Sequence, residues 1–313
     1  MNHNLIRMAS SAVSCAAAAC LAACGPAPTG ALGPAPGSSA RAHTSAPAHP
    51  ALTTPTAMPG AQMPTSAPSA APSLAPPRAV TLQAWFIRGG RLFESQRTVP
   101  ATRSIGKAAV DAVLAGTNTS ESSAGLVSAV PAGTNMLGLK IAGTVATIDL
   151  SSSFAQSASS SAVSLRLAQL VYTLTQFGAV RSVHWRISGQ DVTTIGGVPV
   201  SGPQTRPAYS GDLPAITVAS PAIGATVTSP VTVSGTADVF EAVVSIEILN
   251  SAGQEIARTF TTASCGTGCR GSYTTTISYS VPATQKGTVE VFERSAKDGS
   301  PVNMQKIPVT LGP

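Results

Sequence analysis

The chain is short of charge. Only 10% of its 313 residues are Asp, Glu, Lys or Arg, against about 25% in an ordinary soluble domain. That scarcity argues against a typical cytosolic enzyme, a coiled coil or an acidic tail protein. Aromatic residues make up 4% of the chain, and histidine occurs four times. The formal charge of +6 is thinly spread, and no basic cluster interleaves with aromatics, so nucleic acid is not an expected partner. Hydrophobic runs long enough to cross a bilayer are also missing. The most apolar helix-like stretch, Leu165 to Phe177, is short and holds Arg166, Gln169 and Gln176. What the chain does have is 25 prolines and enough length for about two domains.

The N-terminus gives an address. Arg7 precedes an uncharged, Ala-rich stretch from Met8 to Ala23, which reads as the n- and h-regions of a secretory signal peptide over residues 1–23. It ends in Leu21-Ala22-Ala23-Cys24, which resembles the bacterial lipobox. That resemblance implies that Cys24 takes a diacylglyceryl thioether and becomes the first residue of the mature chain. The competing reading is plain signal-peptidase cleavage leaving a free thiol. Two or three acyl chains would give a stable membrane anchor, placing the protein outside the cell on the outer face of the cytoplasmic membrane.

A change of composition comes next. Residues 25–78 hold 13 of the 25 prolines, no acidic residue and no aromatic. Such a segment cannot bury enough apolar surface to offset its ordering entropy. Residues 24–78 are therefore expected to be a disordered Pro/Ala/Ser-rich tether, reaching roughly 170 Å when extended.

Residues 79–200 read as an α+β domain with a small sheet and two helices. Val80–Ile87 and Arg91–Val99 read as strands joined at Gly89-Gly90. Ile105, Ala108, Ala109, Ala112 and Val113 form a helical stripe, with Gly116 as its C-terminal cap. Thr117 to Ala124 reads as a loop. Met136–Ile141 and Val145–Leu150 read as a hairpin. Val163, Leu167, Leu170, Val171, Leu174 and Phe177 form a second stripe, closed by Gly178. Val180–Ser188 reads as a strand with Val183 and Trp185 on one face and His184 and Arg186 on the other. Four phrases then carry a resemblance. Leu126-Val-Ser-Ala-Val-Pro-Ala-Gly-Thr134, Ala146-Thr-Ile-Asp-Leu-Ser151, Leu167-Ala-Gln-Leu-Val-Tyr-Thr-Leu-Thr175 and Val180 to Ile187 resemble the GerMN domain of sporulation, spore-germination and actinobacterial envelope proteins. The resemblance implies a non-catalytic assembly or interaction domain and brings no catalytic residue.

After an expected linker at 201–212, residues 213–313 change to short runs rich in Val, Ile and Thr. Seven candidate strands suit an all-β immunoglobulin-like sandwich. Ser229-Pro-Val-Thr-Val-Ser-Gly-Thr-Ala237 with Phe240-Glu241, and Val289-Glu-Val-Phe-Glu293 with Asp298-Gly299, resemble the immunoglobulin-like domain of bacterial spore-germination proteins.

The residues with chemical potential are few. Cys265 and Cys269 sit in a Gly-rich loop and read as a local disulfide in an oxidising compartment. Zinc would need four donors, and no His or further Cys lies nearby in sequence. A redox-active pair remains an alternative, although the spacing is not C-x-x-C. Gly266-Thr-Gly-Cys-Arg-Gly271 matches G-x-G-x-x-G, but a strand follows where the dinucleotide motif needs a helix. His184 and Arg186 share a strand face, either as exposed strand residues or as a contact for an anionic partner. Asp149 reads as a hydrogen-bonding residue at a strand end. Residues 79–210 carry ten Lys/Arg against five Asp/Glu, and residues 211–313 carry six against eight. A basic face toward anionic polymers is the functional reading of that asymmetry, and ordinary surface charge is the other.

These observations predict no catalytic residue, metal or cofactor. They predict a non-enzymatic, lipid-anchored envelope protein that binds another envelope protein or a wall glycan. The alternatives are an accessory subunit of a membrane sensor or cell-wall machine, and a cell-wall hydrolase or thiol oxidoreductase.

Overall fold

The computed structural model describes residues 78–313. The expected signal peptide, Cys24 and the expected tether up to residue 77 lie outside the described residues.

The first domain opens with a hairpin of β1 (Ala79–Arg88) and β2 (Arg91–Pro100), paired in register from Ala79↔Pro100 to Arg88↔Arg91. Gly89 and Gly90 both have positive φ, which the tight turn requires and a Cβ would resist. Helix α1 (Ile105–Leu114) buries Ala109, Val110 and Val113 and ends at Ala115, with Gly116 left-handed just beyond it. The stretch read as a loop contains a one-turn helix, α2 (Thr119–Ser123). Asn118 Oδ1 accepts from the Glu121 N–H at 2.9 Å, and Glu121 Oε2 accepts from the Asn118 N–H at 2.7 Å. This reciprocal capping box is present in the sequence as Asn118-Thr-Ser-Glu121. Glu121 is buried, and Arg97 and the Ser95 hydroxyl both donate to it.

Strands β3 (Met136–Ala142) and β4 (Val145–Leu150) form an antiparallel hairpin, and β4 pairs in parallel with β5 (Ser182–Ile187) through α3 (Ser160–Leu174). The short β6 (Gln190–Asp191) completes a sheet of order β3-β4-β5-β6. The β1–β2 hairpin therefore stands as a second sheet, with the bridge Ile87↔Val127 beside its turn. Helix α3 ends earlier than its apolar stripe suggests. Thr175 caps it, and its hydroxyl donates to the Val171 carbonyl at 2.6 Å. Its polar residues are used internally. Gln169 accepts from the Ala129 N–H at 2.6 Å and donates to the Trp85 carbonyl at 2.9 Å. Arg166 donates to the carbonyls of Phe154, Gln156 and Ala129.

Beyond β5, β7 (Thr194–Ile195) and β8 (Val198–Pro199) form a small hairpin. The segment expected as a linker, 201–212, is packed. Gln204 bridges Val183, and Tyr209, within a 3₁₀ turn at Arg206–Asp212, is buried. With Tyr209 buried, and Gln204 and Arg206 bonded to Val183, Thr175 and Tyr172, the segment does not run free.

The second domain is a sandwich of eight strands. They are β9 (Ile216–Ser220), β10 (Thr226–Val227), β11 (Val231–Ala237), β12 (Val243–Leu249), β13 (Glu255–Thr262), β14 (Gly271–Ile277), β15 (Gln285–Arg294) and β16 (Pro301–Leu311). One sheet has the order β10-β16-β15-β12-β13, and the other has the order β14-β11-β9. Alternation puts Val244, Ile246 and Ile248 of β12 between the sheets, with Val233, Val289, Val291, Ile307 and Val309. All seven predicted strands are present, and the two-residue β10 is the addition.

The buried side chains of the two domains form one connected cluster. Polar contacts close the seam. Gln96 donates to the Ala219 carbonyl at 2.6 Å, Arg88 donates to the Lys306 carbonyl at 2.9 Å and to Gln305 Oε1, and Arg91 donates to the Gly211 carbonyl.

Candidate functional site

A cavity of about 290 Å³ lined largely by polar residues lies in this seam. The first domain contributes Gln83 and Trp85 from β1 and Glu94 from β2. The packed connecting segment contributes Arg206, and the sandwich contributes Thr217, Thr236, Arg270 and Tyr273. Strand register explains part of the grouping. Trp85 and Glu94 are direct cross-strand partners, so their side chains share one face of the hairpin. Gly235 is a cross-strand partner of both Tyr273 and Val218. A Cβ there would meet the Thr217 carbonyl oxygen at 1.9 Å and the Tyr273 hydroxyl at 2.7 Å. Only glycine lets the Tyr273 hydroxyl donate to the Thr217 carbonyl, at 2.8 Å.

Trp85 and Glu94 are buried, yet the indole Nε1 and the carboxyl Oε1 have no hydrogen-bond partner. Buried polar groups are seldom left unpaired, and each exception calls for an explanation. Burial pushes the Glu94 carboxyl up to about 7, with Arg206 and Gln83 pulling the other way. Arg206 donates from Nε to the Thr175 hydroxyl at 2.8 Å and from Nη2 to the Tyr172 carbonyl at 2.9 Å. Its guanidinium lies 4.7 Å from the Tyr172 ring centre and 5.9 Å from that of Trp85. Arg270 donates from Nη2 to the Pro214 carbonyl at 2.6 Å and makes longer contacts to Ala215 and Thr236. Among the described residues neither arginine has an ion pair with a carboxylate. Burial lowers the pKa of both. Sequence reasoning singled out no residue of this cavity. The available signal was Glu94, an acid flanked by Phe93 and an apolar strand, facing Trp85 across a two-glycine turn.

The residues that sequence reasoning did single out lie elsewhere. His184 Nε2 is 3.1 Å and Arg186 Nε 3.4 Å from Asp191 Oδ1 on β6, and Arg186 also donates to the Gly189 carbonyl. The pair is half-buried and already shares a carboxylate, so it is a less open cationic face than the alternation suggests. Asp149 accepts from the Gly189 N–H at 3.0 Å at the end of β4. Cys265 and Cys269 are bonded, with Cα atoms 5.5 Å apart. Their loop is tied to Val239 and Asp238 through the N–H groups of Thr267 and Gly268. The Gly266–Gly271 run leads into β14, a strand, so it lacks the helix N-terminus that holds a dinucleotide. No group of three or more potential metal-ligating side chains occurs among the described residues.

The architecture is thus an α+β domain joined to an immunoglobulin-like sandwich. Residues 86–193 match the family described as sporulation and spore germination (Germane). Residues 215–300 match the immunoglobulin-like domain of bacterial spore germination (Gmad2). Over those residues the chain resembles a GerMN domain followed by a spore-germination immunoglobulin-like domain. Neither family is described by a catalytic activity.

Solved structures similar to this chain include the following three. The tandem GerMN domains of the sporulation protein GerM from Bacillus subtilis are 16% identical over 75% of this chain, with a TM-score of 0.38. The match covers 61% of that tandem structure. A protein described as a lipoprotein from Clostridium perfringens is 18% identical over 45% of this chain and 98% of its own, with a TM-score of 0.32. The first GerMN domain of Bacillus subtilis GerM is 23% identical over 41% of this chain and 98% of its own, with a TM-score of 0.34. The assignment rests on the two family matches. No curated protein matches this chain.

Proposed function

We propose that this chain is a non-enzymatic envelope protein, anchored by a lipid on Cys24 to the outer face of the cytoplasmic membrane, that binds a protein or wall-glycan partner. The observation that carries this reading is the joining of two germination-type domains into one body, through a connected core and the contacts of Arg88, Arg91 and Gln96. A body of that kind presents a fixed combined surface, which suits a scaffold or binding module. The lipobox-like Leu21-Ala-Ala-Cys24 supports the anchor, and no described helix is long and apolar enough to cross a membrane.

The test is crosslinking of the full chain in intact cells, with mass spectrometry of what is trapped and a pull-down on isolated wall. The expected result is one reproducible envelope partner or retention on wall glycan. Hydrolysis of peptidoglycan by the purified chain would overturn the non-enzymatic reading. Cys24→Ser should release the protein into the medium or block its maturation. Unchanged membrane retention without acyl labelling would remove the anchor from the proposal.

A further inference from the structure

We propose that the seam cavity is a binding site for the oxyanion head of a small ligand, held between the guanidiniums of Arg206 and Arg270. This goes beyond the partner-binding reading and does not depend on it.

Three observations converge. First, two arginines from separate segments line one cavity without a carboxylate partner among the described residues. Carbonyls and the hydroxyls of Thr175 and Thr236 take only some of their donors. Arg206 Nη1 and Arg270 Nε have no acceptor in the described residues. Both guanidiniums are partly buried, with Glu94 and Asp238 acting on them only through space, and an anion in the cavity would give their free N–H groups a direct charged partner. Second, Trp85 offers a buried N–H with no acceptor, and indole nitrogen can only donate. Third, Glu94 keeps a buried, unpartnered oxygen beside them. As the neutral acid its O–H is one more donor. The unpartnered groups at the cavity are then all donors, and the complementary ligand group is one that only accepts.

The charges around Glu94 fit that assignment. Facing it are Arg206 from the packed segment, Gln83 and Trp85 on β1 and Tyr273 on β14, with Arg270 at the start of β14 and Tyr172 on α3 behind. Two nearby carboxylates take hydrogen bonds from other groups, and Asp238 favours the charged form of Arg270. Asp212 accepts from the Ser164 hydroxyl at 2.8 Å, and Asp238 accepts from the Gly268 N–H at 2.7 Å. A cavity of about 290 Å³ holds an oxyanion together with a sugar-sized body. Because the bound anion favours the neutral form of Glu94, binding takes up a proton.

The experiment is isothermal titration calorimetry on the purified full chain at low ionic strength. Sulfate is the first probe, because its own charge stays constant across the range. Expected are saturable binding that weakens several-fold from about pH 6 to about pH 8.5, and loss of about tenfold or more in affinity in Arg270→Gln and in Trp85→Phe. Trp85→Phe keeps the aromatic character and removes the N–H, so it carries the test if Arg270→Gln does not fold. Glu94→Gln should abolish the pH dependence. Glucuronate and glucose distinguish the source of the oxyanion. Tighter binding of glucuronate than of sulfate assigns an oxyanion on a sugar, and the reverse assigns a free ion. No binding of sulfate or glucuronate, equal binding of glucose and glucuronate, or affinity unchanged in Trp85→Phe and Arg270→Gln would overturn the proposal and leave the arginines as structural staples.

Discussion

Arg166 is 4% exposed on a helix that should have no use for a buried charge. It survives there because three backbone carbonyls converge on its guanidinium. Arg88, Arg91, Arg97, Arg186 and Arg206 also donate to main-chain carbonyls. Five guanidinium donors in a fixed fork suit that task better than an ammonium does. Six of the ten basic residues of 79–210 are thus tied to the backbone, while Arg103, Lys107, Lys140 and Arg181 stand exposed. Glu94 shows the opposite case, a charge the fold disfavours. Its carboxyl rises from 4.5 to about 7 on burial, so the native state retains a proton that the unfolded chain has released. The associated stability is fully present below about pH 4.5 and is lost as pH rises through about 7. The change is on the order of 3 kcal/mol. Glu94→Gln should flatten this loss and raise the melting temperature at about pH 8, measured by thermal denaturation across pH. An unchanged pH profile would show that Glu94 does not carry the effect.

At the level of elements, β11 is crowded at Gly235 by both of its neighbouring strands. Its register with β9 shifts between Ser234 and Gly235, and the missing side chain at Gly235 makes room for the Thr217 carbonyl and Tyr273. Gly235→Ala should lower stability by roughly 1–3 kcal/mol or more in chemical denaturation. Gly211→Ala, with open space at its Cβ, serves as the control and should change it little. The elements themselves were largely legible. Period-two and period-3.6 patterns located the long strands and both long helices, because each buries one continuous face. Two features escaped. Helix α2 was hidden because five polar residues carry no apolar period, although its capping box was visible. The end of α3 was misplaced because Phe177 continues the stripe beyond the Thr175 cap.

Across the whole molecule, sequence pattern separated two domains but not their union. Residues 201–212 look like a spacer by composition, and Arg206 and Tyr209 within them are what tie it down. The cavity was illegible for the same reason. Its members come from the hairpin, the connecting segment and the sandwich, and only tertiary structure brings them together. With one connected core, differential scanning calorimetry should record a single unfolding transition. Arg88→Ala combined with Gln96→Ala should separate it into two, whereas a single sharp transition in that double variant would place the coupling in the apolar core instead. The seam bonds have a further property. At Ala219, Lys306 and Gly211 the acceptor is the peptide carbonyl, which every amino acid supplies. The residue types at those three positions can therefore drift through evolution without breaking the bonds, while the donors on the partner face cannot. A sandwich taken from a distant relative could be grafted onto this hairpin and still dock, provided its backbone follows the same path.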